Sequence, residues 1–126
     1  MAIILLVDDD PLQAFVRKSI LDRKFPDVRR VAGAAEALCL VEQLHFAQYV
    51  GLVVVGHSIK GIGGPAFVDE LHTRLPEVPV LVLGDPSETH SEYPGDYVRF
   101  LARPINADEM VNLASEMLTE NERLIA

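Results

Sequence analysis

The chain has 126 residues, 49% of them hydrophobic and 24% charged, which suits one globular domain able to bury roughly two-thirds of the surface its unfolded form exposes. A formal net charge of −8 argues against direct contact with nucleic acid or an anionic membrane, because a polyanion would be repelled. A single cysteine excludes an internal disulfide, and the N-terminal apolar run is far too short to span a bilayer, so a cytoplasmic protein is expected.

Residues 1–7 (MAIILLV) form a continuous aliphatic run that stops at three aspartates, the pattern of a strand buried on both faces. Asp10-Pro11 then starts a helix: Asp10 can cap, Pro11 suits the first turn, and Leu12, Phe15, Val16 and Ile20 offer an inward-facing stripe. Pro26-Asp27 breaks it, and residues 28–32 (VRRVA) read as a short strand whose two arginines suggest a sheet edge. Ala34, Ala37, Leu38 and Val41 recur at helical spacing, predicting one helix to about Phe46 with Cys39 as a small core residue.

Residues 51–55 (GLVVV) predict a second buried strand ending at Gly56, followed by a loop over residues 57–64 (HSIKGIGG). Pro65 opens a helix whose Val68, Leu71 and Leu75 face inward, and residues 78–83 (VPVLVL) form the next strand, with Pro79 tolerable only near its start. Residues 84–96 (GDPSETHSEYPGD) are too polar and too rich in proline and glycine for more than one helical turn. Residues 97–102 (YVRFLA) predict a fifth strand, and Asn106 with Glu109 caps a last helix with Met110, Leu113, Ala114 and Met117 along its apolar side.

Strands alternating with helices imply an α/β domain with a doubly wound, five-stranded parallel sheet. In such a sheet a ligand site lies at the carboxyl ends of the strands, which directs attention to Asp8, Asp9, Asp10, Gly56, Gly84 and Arg103. Four scattered histidines (His45, His57, His72, His90) lack metal-ligand spacing. A phosphate-cradling glycine loop after the first strand, as a flavodoxin-like cofactor binder would need, is absent.

The segments ILLVDDDP, VVVGHSIKGIGG, VPVLVLGD and YVRFLARP together resemble the receiver domains of bacterial two-component response regulators. That resemblance implies a flavodoxin-like (CheY-like) fold over residues 1–126, strand order 2-1-3-4-5, with the family's fourth helix shortened or missing. It matches Asp8 and Asp9 to the pair that helps hold a divalent metal, and places the phosphoryl-accepting aspartate at Gly56. Gly84 stands where the family carries a threonine or serine, Arg103 where a lysine precedes a typically cis proline, here Pro104, and Phe100 at the aromatic switch position.

The expectation is therefore a degenerate, pseudo-receiver signalling domain, not an enzyme, that acts as a phosphorylation-independent interaction module. The alternative is a phosphorelay receiver using a non-standard acceptor such as His57, Ser58 or Asp85. With one ligand lost at Gly56, the metal position at Asp8 and Asp9 should be weak or vacant, Mg2+ weakly bound at best and no other cofactor required. Arg103 is expected to pair with Asp8 or Asp9 in place of that cation, and Phe100 to act as a packed aromatic. The partner is expected to be a protein, such as a histidine kinase or an output domain, or a second copy of the chain.

Overall fold

Five aliphatic residues in a row, all shut off from solvent, make β1 (Ile3–Val7) the centre of the molecule. The computed structural model describes residues 2–56, 58, 59, 61–85 and 97–125. In chain order, β1 is followed by α1 (Pro11–Asp22), β2 (Val28–Val31), α2 (Ala34–Val41), α3 (Leu44–Ala47) and β3 (Val50–Gly56). Then come a small hairpin of β4 (Ser58–Ile59) and β5 (Ile62–Gly63), α4 (Gly64–Arg74), β6 (Val80–Gly84), β7 (Val98–Ala102) and α5 (Ala107–Ile125). The main sheet runs β2-β1-β3-β6-β7, parallel throughout, the order expected for five sheet strands.

Because strand side chains alternate between faces, β1 and β3 divide their residues between two cores. Leu5, Val7, Val53 and Val55 pack with Ala37 and Val41 of α2 and with Phe67, Val68 and Leu71 of α4. Ile4, Leu6, Leu52 and Val54 pack with Leu21 of α1 and with Met110, Ala114 and Met117 of α5. The pairing of β1 with β3 skips Gly51, since Ile3 faces Val50 and Ile4 faces Leu52. A Cβ at Gly51 would lie 2.7 Å from the Ala2 Cβ and 2.8 Å from the Leu118 Cδ2, so the close approach of α5 to this bulge requires glycine.

Several local expectations are corrected. The inward face of α1 is Ala14, Arg17 and Leu21, whereas Leu12, Phe15 and Val16 are 73%, 71% and 48% exposed and only Ile20 packs partly against the core. Ala14 lets the helix lie close to the sheet, and Arg17 turns inward to meet a buried carboxylate, so the more apolar stripe faces water. The single helix expected from Ala34 to Phe46 is two, because Gln43 is extended (φ −86°, ψ 111°); the break turns Phe46 into the core and under the Arg29 guanidinium, 5.5 Å from the ring centroid. Cys39 is exposed, since α2 buries Ala34, Ala37 and Val41 on its other side.

The loop after β3 contains a two-stranded ladder pairing Ser58 with Gly63 and Ile59 with Ile62, turned at Gly61, whose φ of 88° favours glycine. It buries Ile59 in the core. The polar segment read as lacking a fourth helix falls mostly on residues 86–96, outside the described residues.

Candidate functional site

Register brings the singled-out residues together at the carboxyl edge of the sheet. Val7 pairs with Val55, so Asp8 and Gly56 lie side by side just beyond; Gly56 pairs with Leu83 and Gly84 with Ala102. Asp8 is only 4% exposed. Its amide donates to the Val31 carbonyl at 3.1 Å, continuing the ladder to β2.

Every polar part of Asp8 is engaged. Oδ1 accepts from the Asp10 N–H at 3.0 Å, and Oδ2 accepts from Arg17 Nη1 at 2.8 Å. The backbone oxygen accepts a two-pronged contact from Arg30, Nε at 3.1 Å and Nη2 at 2.9 Å, the forked geometry that only a guanidinium offers. Asp10 caps α1 as expected, its Oδ1 accepting from the amides of Leu12 at 2.9 Å and Gln13 at 3.2 Å. Asp9, between them, is half-buried.

Gly56 is buried, yet nothing about the fold demands glycine there. Its φ is not positive, and a Cβ would meet its nearest neighbours, Arg17 Nη1 and the Leu83 oxygen, at an ordinary 3.9 Å. A carboxylate oxygen two bonds further out would come within hydrogen-bonding range of that guanidinium. Gly84, with no hydroxyl to offer, accepts from the Arg103 N–H at 2.7 Å.

The expected pairing of Arg103 with Asp8 or Asp9 is corrected. The Asp8 carboxylate is taken by Arg17, and Arg103 Nε lies 3.6 Å from Asp85 Oδ1, with the two side chains 43% and 53% exposed. Arg17 reaches Asp8 from the packed face of α1, whereas Arg103, just past the end of β7, is exposed. The Arg103–Pro104 bond is cis, as the resemblance implies. Phe100 is half-buried in β7 and packs against the α2–α4 side of the core. His57 lies outside the described residues, as does the side chain of Ser58.

Among the described residues no three His, Cys, Asp or Glu side chains converge where they could hold a metal ion. His72 uses its ring instead to bridge to the Val78 carbonyl, with Nε2 at 2.9 Å. No buried side-chain nitrogen or oxygen among the described residues lacks a hydrogen-bond partner. Ion pairs away from the pocket are exposed: Arg29 with Asp27, and Arg74 with Glu70 and Glu42, whose hydrogen bonds raise the pKa of each guanidinium above its ordinary value. Sequence reasoning missed Arg17 and Arg30. The signal for Arg17 was its place three residues after Ala14 and four before Leu21.

The family model for the response regulator receiver domain matches residues 4–115. A search of curated proteins finds no match. Among solved structures, a response regulator receiver domain protein from Clostridium thermocellum superposes with a TM-score of 0.85 at 17% identity, covering 98% of this chain and 99% of that one. A CheY-like receiver domain protein from Methanospirillum hungatei gives 0.82 at 20% identity, covering 98% of each chain. NtrX from Brucella abortus gives 0.80 at 24% identity over 97% of this chain, which corresponds to 28% of NtrX. Among the described residues no helix is long and apolar enough to cross a membrane.

Proposed function

Because the chain belongs to the response regulator receiver domain family, a family of signal-transduction domains, we propose that it is a pseudo-receiver: a cytoplasmic, non-enzymatic interaction module whose signalling does not depend on phosphorylation. The observation that carries this reading is Gly56. It ends β3 beside Asp8 and supplies no side-chain oxygen where the family's acceptor is expected, and phosphoryl transfer needs an acceptor in line with the donor phosphorus. Gly56 is a chemical absence and not a steric compromise, since the backbone there would accept a side chain.

Two further observations support the reading. Gly84 removes the hydroxyl expected to steady a phosphoryl group, and Arg103, at the lysine position, is turned to Asp85. The exposed apolar side chains of α1, Leu12, Phe15 and Val16, are the kind of surface that protein contacts cover. The partner is accordingly a protein, a kinase or output domain or a second copy, and the net charge of −8 disfavours nucleic acid and anionic membranes.

Incubation with a small-molecule phosphodonor and Mg2+, read by intact mass, tests this directly. The expected product is unmodified protein. A stoichiometric phosphoryl adduct overturns the reading, and mapping it would identify a non-standard acceptor such as His57, Ser58 or Asp85.

A further inference from the structure

We propose that Arg17 is a resident cation that stands in for a divalent metal, so that the acidic turn neither requires nor admits magnesium. This concerns the metal position itself and holds independently of whether any residue accepts a phosphoryl group. The Arg17 side chain is 9% exposed and its Nη1 lies 2.8 Å from Asp8 Oδ2. The second carboxylate oxygen is occupied by the Asp10 amide.

Magnesium demands oxygen ligands in near-octahedral array and dehydrates reluctantly. Here one oxygen of Asp8 already faces a guanidinium, and position 56 contributes no carboxylate. An ion placed against Asp8 would also face the buried charge of Arg17 across a short distance, where little solvent screens the repulsion. Arg17 cannot readily step aside, because it projects from the middle of α1 between Ala14 and Leu21, both packed against the sheet.

A Cβ at position 56 would lie 3.9 Å from Arg17 Nη1, so a carboxylate restored there would pair with Arg17 before it could serve a metal. Restoring the family's aspartate therefore does not restore its metal site; removing Arg17 as well does.

The test uses Mn2+, an oxygen-seeking octahedral ion like Mg2+, and reads paramagnetic broadening of the Asp8, Asp9 and Asp10 amide resonances. Wild type and Gly56→Asp should stay sharp, whereas Arg17→Met/Gly56→Asp should broaden at these amides and bind Mn2+ at least about tenfold more tightly than Gly56→Asp alone. Broadening in wild type, or equal affinity in Gly56→Asp and the double variant, overturns the proposal. Should the double variant not fold, Gly56→Asp decides alone: site-specific broadening refutes, and its absence with the carboxylate in place supports. A phosphoryl adduct on wild type without Mn2+ broadening would instead defeat the functional reading and leave this one standing.

Discussion

Replacing Asp8 with asparagine removes a charge while keeping the shape of the side chain. Arg17 is then left buried without a counter-charge, in a place where the two side chains are only 9% and 5% exposed. An exposed ion pair contributes about 0–1 kcal/mol, but breaking a buried pair from one side costs about 3–5 kcal/mol. The asparagine oxygen can still accept one hydrogen bond, which places the expected loss near the lower end, about 3 kcal/mol. Against a total stability of roughly 5–15 kcal/mol for a domain, that is a large fraction. The chain has no tryptophan, so urea unfolding followed by far-ultraviolet circular dichroism is the suitable assay; with a slope of about 1.5 kcal/mol per molar, the midpoint should fall by about 2 M. A companion variant, Asp8→Leu/Arg17→Met, removes both charges and should recover most of that loss, because well-packed apolar replacements of a buried pair are often neutral or better. A fall below about 0.5 M for Asp8→Asn, or a double variant as unstable as the sum of its parts, would refute the view that this is a buried, mutually dependent pair.

Three further predictions concern packing elsewhere in the fold. Leu12→Ser/Val16→Ser should leave the thermal midpoint nearly unchanged, within about 0.5 kcal/mol for each site, because both residues are exposed; Phe67→Ala, at a fully buried position, should cost about 3–5 kcal/mol in the same melts. Gly51→Ala should destabilise by about 1–3 kcal/mol in urea titrations, because its Cβ would come within 3 Å of Ala2 and Leu118.

The strands were legible because those that are buried on both faces have no polar register to confuse them. IILLV and VGLVVVG stand out as unbroken apolar runs, and Asp10-Pro11 and Asn106 announce helix starts that the hydrogen bonds to Leu12, Gln13 and Glu109 confirm. Acidic residues and glycines at the strand ends also located the site, since parallel strands gather their carboxyl ends along one edge. The orientation of α1 was not legible. Its hydrophobic pattern favours burying Leu12, Phe15 and Val16, but the helix is also held by an ion pair with Asp8, a partner nine residues away that periodicity does not weigh. For the same reason the sequence points to Arg103, conspicuous in the family pattern, as the counter-charge, whereas the structure pairs Asp8 with Arg17. The break between α2 and α3 was equally hidden, because Phe46 continues the helical spacing while its side chain is drawn inward by the core and covered by Arg29.

On the proposed reading the carboxyl-edge pocket is a fixed structure, its buried Asp8 neutralised by Arg17, that phosphorylation does not address. Backbone-amide spectra of the wild-type protein, recorded before and after addition of Mg2+ and a small-molecule phosphodonor, test it most directly. Unchanged resonances are expected for Asp8, Gly56, Gly84, Phe100 and Arg103. Saturable shifts at these positions that require both additions would contradict it.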